Sequence, residues 1–258
     1  MRHIWTALMT LGIVLAAGPA AAQRPVPEDP NKARAREHYS LGWEHMRSEA
    51  FDRAAAEFQL ATDFDPKLAL AWYGLGRAHM ALRRYQQAIL NLEECRTQLT
   101  AQGSRKFNNR MDADRARRDR LMELEDLRNQ WLKGPQDERS QDMVRLVENE
   151  IKFSNDTLER ERDVQFDEPV PSFVWLSLGS AYFRKERFDE AERAYKAAIR
   201  ADDTAAAAHN NLAVLYVLRG RQTDAQEQIR LAERAGLPVH PELKAQALER
   251  LDDPTLPR

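Results

Sequence analysis

The side chains of this sequence that could carry chemistry are one cysteine and six histidines, and their spacing does not form a site. A metal site needs nitrogen, sulphur or carboxylate ligands that converge on one point. His38 and His45 are seven residues apart, which is about 10 Å along a helix, so one ion cannot bridge them. The sequence also lacks the HExxH, GxSxG, CxxC and glycine-loop motifs of hydrolytic, redox and phosphate-binding enzymes. We therefore expect no metal, no cofactor and no catalytic residue.

The elements that would position such residues are helices, because large apolar side chains recur at helical spacing. In WLSLGSAYFRKERFDEAERAYKAAI, residues 175–199, one apolar stripe precedes the polar letters RKER and another follows them. A short polar stretch between two such stripes is typical of a turn between antiparallel helices. Gly179 lies in the first stripe, where the lack of a side chain lets two helix backbones approach closely. The stretch therefore predicts a helical hairpin.

The same pattern of apolar and small residues recurs at a period of 34 residues. Gly42, Gly76 and Ala213 match Gly179, and the shared order is Trp, Leu-Gly, Tyr, Ala, Phe and Pro. This order and period resemble the tetratricopeptide repeat (TPR) family, whose helix-turn-helix units stack into a superhelix. The resemblance implies an all-α TPR helical-hairpin superhelix, and it specifies the fold more closely than the function. Four copies are recognisable, at about residues 35–68, 69–102, 172–205 and 206–238.

Several positions depart from the family's pattern but keep a side chain that can pack. Cys95 replaces an alanine, and we interpret it as a small buried side chain, with an intermolecular disulfide as the alternative. Gln222 stands where the other copies have an aromatic residue, so the fourth repeat is the weakest match. Histidine replaces an aromatic residue in four places, and we expect each ring to pack between helices with one hydrogen bond. These histidines are His38, His45, His79 and His209.

A stretch of 69 residues, 103–171, interrupts the repeats and lacks their period. Its first half has no helix breaker from Arg105 to Leu132, so we predict one long and highly charged helix. This helix has a narrow apolar stripe, wide enough for one partner helix. The members of the stripe are Leu121, Leu124, Leu127 and Trp131.

The second half of the insert is predicted to supply that partner helix. The letters KGPQDE, residues 133–138, contain a Gly-Pro breaker, and the second helix is expected to end near Val164. We expect the insert to project as a long charged helical hairpin that resembles a short coiled coil, with its charges facing solvent. Two degenerate repeats in residues 103–171 are the alternative. The opposing seam of the hairpin would be Met143, Val147, Ile151 and Leu158.

The N-terminus predicts export. Residues 1–22 have a basic start, an apolar run through Ala17 and small residues before Gln23, as a secretory signal peptide has. Cleavage after Ala22 is expected to leave a periplasmic or secreted protein that does not insert into a membrane. An uncleaved anchor is the alternative, but the apolar run is shorter than the ~20 residues of a spanning helix.

The segments next to the repeats are predicted to be a leader and a cap. Pro-rich residues 23–34 are expected to form a stiff leader that is extended, and not helical, through residue 31. Residues 239–258 are expected to form a capping helix and a tail, because the end of a repeat stack exposes apolar surface unless something covers it. The cap begins with a proline at a helix N-terminus. Its apolar face consists of Leu243, Ala247, Leu248 and Leu251.

The composition is typical of a soluble helical protein, with 43% hydrophobic and 31% charged residues. The formal net charge is −2, which does not indicate a basic surface of the kind that binds nucleic acid. We therefore expect no nucleic acid among the partners.

The face of each first helix that the packing stripe leaves free is aromatic and apolar, whereas a face beside solvent should be polar. In the TPR family this face lines a concave groove that receives peptide segments, so the resemblance implies a surface for a protein or peptide partner. The family's carboxylate-binding Lys, Asn and Arg are absent, which favours an apolar or aromatic ligand. Asn211 matches a slot where the family often hydrogen-bonds a bound backbone. The candidate partner-binding residues are Tyr39, Trp43, Met46, Tyr73, Arg77, Met80, Leu176, Phe183, Asn210 and Asn211.

These observations favour an exported protein–protein interaction module that binds an apolar or aromatic segment of a partner in the concave groove. Two alternatives stay open. The insert or the terminal helix of the same chain could fill the groove, which would make the aromatic wall part of the core. The protein could instead be a structural assembly subunit that self-associates through the helical hairpin insert.

Overall fold

The computed structural model of the chain describes residues 29–103, 110–133, 141, 144–145, 147–152 and 170–249. All regular secondary structure in these ranges is helical, which confirms the all-α prediction. The predicted signal peptide and the first half of the leader lie outside the described residues. We number the helices α1 (Pro30–Arg47), α2 (Phe51–Phe64), α3 (Ala69–Ala81), α4 (Tyr85–Gly103), α5 (Arg110–Leu132), α6 (Ser172–Arg184), α7 (Phe188–Ala201), α8 (Ala206–Leu218), α9 (Gln222–Arg234) and α10 (Pro241–Glu249).

Four helical hairpins, α1–α2, α3–α4, α6–α7 and α8–α9, stack in chain order. The second helix of each hairpin packs against the first helix of the next, and α4 packs against α6 although the insert separates them in sequence. At this junction the ring of Tyr73 lies 5.0 Å from that of Phe173, and Ser177 Oγ donates a hydrogen bond to Tyr73 Oη at 3.5 Å. The four repeats therefore form one continuous superhelix, and the insert lies outside the stack.

The turn between the two helices has the same backbone in all four repeats. Its middle residue is left-handed, with φ between 57° and 71°. The next residue donates its N–H to the carbonyl five residues earlier, at 2.8–3.0 Å, which satisfies a carbonyl at the end of the first helix. This recurrence confirms the hairpin predicted at RKER and extends to the fourth repeat, whose sequence match is the weakest. The left-handed residues are Glu49, Arg83, Glu186 and Gly220.

The glycine of each first helix faces a bulky side chain of the second helix, which confirms the predicted close approach. A Cβ added to Gly179 would lie 2.6 Å from the ring of Tyr195, far inside contact distance. Gly42 and Gly76 have the same restriction in the first two repeats. In the fourth repeat the matching residue is Ala213, which is fully buried.

The histidines in the repeats are packing residues, as predicted, wherever their bonds are described. The imidazole of His38 also stacks on Phe64, with ring centroids 5.4 Å apart. In each case Nδ1 of a first-helix histidine bonds a polar side chain of the second helix. The pairs are His38 with Glu57 at 2.7 Å, His79 with Asn91 at 2.8 Å, and His209 with Gln228 at 2.8 Å.

The single cysteine is buried, as predicted for a small packing residue. Cys95 has none of its surface exposed, and burial raises the pKa of its thiol. A thiol that stays protonated and inaccessible is a poor nucleophile. The buried position therefore argues against the alternative of an intermolecular disulfide.

The first helix begins earlier than predicted. The expected extended leader runs through residue 31, but α1 starts at Pro30, and the Asp29 carboxylate accepts a hydrogen bond from the N–H of Asn31 at 3.0 Å. The first position of a helix tolerates proline because its missing N–H would have had no partner there. Pro30 therefore begins the first repeat and does not break it.

The last described helix packs on the final repeat at the end of the stack. Helix α10 packs against α8 and α9, and Leu243 and Ala247 are buried there. Leu248 was expected on the same face, but 58% of its surface is exposed. The reason is that Leu248 lies about 100° round the helix from Ala247. The fourth predicted member, Leu251, lies outside the described residues.

The contact between Gly179 and Tyr195 yields the first prediction. The variant Gly179→Ala should lose about 1 to 3 kcal/mol of unfolding free energy, because the new methyl group overpacks a close helix contact. Chemical denaturation measures the loss. Arg193→Ala is the control, since Arg193 is exposed on the neighbouring helix α7. Equal unfolding of the two variants would contradict the packing.

Candidate functional site

The concave face of the superhelix is formed by the first helices α1, α3, α6 and α8, which lie side by side along the stack. The sequence predicted that aromatic residues on this face are free to contact a partner. In the structure Tyr39 and Trp43 keep only 6% and 3% of their surface exposed, and Tyr73 is fully buried. Within this chain the three side chains are therefore part of the core. They form an aromatic wall that another segment of the chain covers.

The cover of the aromatic wall is the insert helix α5. The ring of Trp131 lies 5.4 Å from that of Trp43, and the guanidinium of Arg77 lies 5.2 Å from the Trp131 ring. Gln130, the neighbour of Trp131, accepts a hydrogen bond from Arg47 on α1. The prediction that the insert projects into solvent is wrong for this end of α5, because the wall offers Trp131 an apolar surface to bury.

The described residues of the second half of the insert contact both α5 and the repeats. Arg120 of α5 donates to Glu150 at 3.0 Å. The segment also contacts the repeats, since Asn149 donates to Asp202, at the end of α7, at 3.3 Å. Of the predicted seam, Val147 and Ile151 are buried, whereas Met143 and Leu158 lie outside the described residues.

Trp43 is the centre of a cluster of five aromatic rings. The distances from its ring centroid are 5.3 Å to Phe58, 5.4 Å to Trp131, and 6.3 Å to both Tyr39 and Tyr73. Each pair of this kind adds about 0.5 to 1.5 kcal/mol beyond the burial of its area. Within the cluster only Trp131 comes from the insert, so this side chain joins α5 to the repeats.

The cluster leaves three buried polar atoms without a hydrogen-bond partner among the described residues. They are Tyr39 Oη, Trp43 Nε1 and Trp131 Nε1. Burial raises the pKa of Tyr39, so its hydroxyl stays neutral. An unsatisfied buried polar group costs about 1 to 3 kcal/mol. Apolar packing therefore drives the docking of α5, and its hydrogen bonding is incomplete.

Charged residues lie beside the aromatic cluster. A cavity of about 250 Å³ between α1, α3 and α5 is lined by Arg36 of α1 and by Glu123 and Asp126 of α5, among others. Burial raises the pKa of Glu123 to about 7, although the charges of Arg120 and Arg36 act in the opposite direction. Burial also raises the pKa of Asp126. At neutral pH the docking face of α5 therefore holds a carboxylate that is poorly solvated.

The other candidate residues are only partly buried and are spread along the first helices. Arg77 is held under Trp131, and the ring of Phe183 lies 5.6 Å from that of Phe188. The structure thus brings Tyr39 and Tyr73 together around Trp43, whose ring also contacts the insert side chain Trp131. The partly exposed candidates are Met46, Met80, Leu176, Phe183, Asn210 and Asn211.

Sequence reasoning offered the insert as an alternative occupant of the groove, but it did not identify the α5 residues of this site. It assigned Trp131 to the seam of the hairpin, and it gave no role to Glu123, Asp126 or Gln130. Two features of the sequence could have predicted this contact. One is a tryptophan on a highly charged helix, and the other is an aromatic face on the first helices with no assigned packing partner.

The raised pKa of Glu123 yields a pH-dependent prediction. A carboxyl with a pKa near 7 in the folded chain and near 4.5 when unfolded binds more protons when folded, so the free energy of unfolding falls as pH rises through that interval. Glu123→Gln should remove this contribution. At pH 8 it should be more stable than the wild type by on the order of 1 kcal/mol, with a smaller advantage at pH 5. Denaturation at both pH values measures the difference, and a constant difference would contradict the assignment.

The comparisons with known proteins agree with the repeat geometry. A family model described as tetratricopeptide repeat matches residues 39–94 and 176–236. These two stretches lie in α1–α4 and in α6–α9 with the two residues that follow α9, and they leave out the insert. No curated protein sequence matches the chain significantly.

Several solved structures resemble the chain at low sequence identity. PilW, a widely conserved type IV pilus biogenesis factor, is 17% identical over 84% of this chain and 86% of its own, with a TM-score of 0.39. YrrB, a TPR protein with an unusual peptide-binding site, is 18% identical over 85% and 92%, with a TM-score of 0.28. A thermophilic TPR protein of Thermus thermophilus is 19% identical over 84% and 98%, with a TM-score of 0.35. The family match and the recurring hairpin turn show that residues 39–94 and 176–236 are similar to tetratricopeptide repeats, in an all-α fold of stacked helical hairpins.

Proposed function

We propose that this chain is an exported protein-interaction module that binds an apolar or aromatic segment of another protein on the concave face of its repeats. Tetratricopeptide repeat proteins generally mediate protein–protein interactions, and the match of residues 39–94 and 176–236 to this family supports that class of function. The finer parts of the proposal are the concave site, the chemistry of the ligand and export.

The observation that carries the proposal is the position of α5. The concave wall of α1 and α3 already receives an amphipathic helix, through a tilted ring contact with Trp43, a cation–π contact from Arg77 and a hydrogen bond from Arg47. A surface that binds such a segment within one chain has the chemistry to bind one from another chain, and helix-in-groove binding is a common mode of recognition.

The second half of the concave face supplies further contact residues. Leu176 and Phe183 on α6 lie in line with Val214 and Val217 on α8, and all four are partly buried against the core. Apolar residues scattered singly over a surface need no explanation, but these lie on one face of adjacent helices. Asn210 and Asn211 lie beside them on α8 and could bond the backbone of a bound segment.

A charge on this face tests the proposed site. Leu176→Asp should reduce the capture of exported proteins in a pull-down by at least about tenfold, because apolar anchors carry most of the energy of an interface. The matched control is Leu90→Asp on the second helix α4, where 56% of the side chain is exposed. Circular dichroism checks that both variants stay folded. Undiminished capture by Leu176→Asp, or an equal loss in both variants, would exclude the concave site.

Export rests on residues 1–22 and is part of the proposal. Among the described residues no helix is both long and apolar enough to cross a membrane. We expect N-terminal sequencing of the mature protein to begin at or near Gln23, with the protein recovered outside the cytoplasm. Recovery of a cytoplasmic protein that begins at Met1 would remove this part of the proposal and leave the binding site untouched.

A structural assembly subunit that self-associates through the insert is the second candidate. It is favoured by the fact that one chain carries both the groove and a helix that fits it. Two copies that exchanged α5 would keep every contact of the single chain, which is a low-cost route to a dimer. The mass of the protein in solution distinguishes this candidate from a monomeric interaction module.

A further inference from the structure

The docked face of α5 displays a short pattern of side chains. Glu123, Asp126 and Gln130 line the cavity beside α1, Leu127 is fully buried, and Trp131 enters the aromatic cluster. These positions are spaced i, i+3, i+4, i+7 and i+8, so they lie on one side of the helix. The pattern is therefore acidic at its start and aromatic at its end, just over two turns later.

The repeats present a complementary set of side chains. Arg36 on α1 acts on both Glu123 and Asp126, since its charge opposes the rise in their pKa values. Arg77 on α3 lies over the Trp131 ring. A cation at one end of the groove and an aromatic pocket at the other give direction and register to the helix that binds.

Several buried polar groups are left unsatisfied when α5 occupies this groove. Tyr39 Oη, Trp43 Nε1 and Trp131 Nε1 are buried without partners in the described part of the chain. The Glu123 carboxylate is also poorly solvated at neutral pH, where its charged form is disfavoured. Each unsatisfied group lowers the stability of the docked state. These costs weaken the docking of α5, so a free helix of the same pattern at a sufficient concentration competes with it although α5 is tethered.

We propose that the groove formed by α1 and α3 is the receptor for an amphipathic helix of a partner protein, with an acidic residue just over two turns before a tryptophan, and that α5 is its built-in competitor. This inference rests on the proposed function. It specifies the class of ligand and adds that α5 regulates the binding of that ligand. Because α5 fills the groove, the partner's apparent affinity is lowered in proportion to the fraction of open molecules. Any change that releases α5 raises that affinity without altering the groove.

The test uses the full chain and a fluorescein-labelled peptide of residues 118–133 as the probe. Anisotropy measures binding to the wild type and to the variant Leu127→Ala with Trp131→Ala, whose own α5 is weakened. We expect the variant to bind the peptide at least about tenfold more tightly. Equal affinity for the two proteins, or no binding to either, would overturn the proposal.

Two matched peptides test the ligand pattern on the same variant. A peptide with Trp131→Ala should lose the aromatic contact, and a peptide with Glu123→Lys and Asp126→Lys should be repelled by Arg36. Both should bind at least about tenfold more weakly than the parent peptide. If both bind as tightly as the parent, the proposed ligand class is wrong.

A second measurement needs no variant, so it holds even where the double substitution prevents folding. Hydrogen exchange of the wild-type chain with saturating peptide should quicken in α5 and stay unchanged in α7. Unchanged exchange in α5 would show that the helix is not a competitor. A wild-type dimer that the peptide converts to monomer would make a second copy the occupant and would overturn the partner claim. Neither result affects the test at Leu176, which probes the proposed function separately.

Discussion

The packing of α4 against α6 is the constraint on which the rest of the structure depends. One repeat hairpin cannot bury its apolar face alone, so the second hairpin must meet the third whatever the chain inserts between them. The contact between Tyr73 and Phe173 marks this meeting. The insert must therefore leave and rejoin the stack at nearly one place. From there the insert reaches the aromatic wall of α1 and α3, which Trp131 covers.

The parts of the fold that could be predicted from the sequence are those set by local spacing. The hairpins, their turns and the glycine contacts repeat every 34 residues, and each repetition is independent evidence for the same geometry. The histidine positions were predictable for the same reason, because an imidazole in a packing slot must bond a neighbouring side chain. His209 and Gln228 show this even in the repeat with the weakest match.

The occupant of the groove could not be predicted because periodicity identifies a buried face without identifying what buries it. Leu124 and Trp131 are seven residues apart and lie on almost the same side of α5. They were assigned to one hairpin seam, yet Trp131 packs on the repeats. The same ambiguity made Trp43 resemble an exposed anchor. An apolar residue on a concave face has the same sequence pattern whether a partner or its own chain covers it.

The continuity of the stack across the insert also means that no covalent link is needed where α4 meets α6. The buried surface at this junction belongs to two separate stretches of chain, residues 29–103 and 170–249, and each stretch carries two complete hairpins. A break in the backbone between them would leave the Tyr73 and Phe173 rings facing each other as before. In this respect the molecule is built as two complementing fragments, joined by an insert whose helix α5 also covers the aromatic wall.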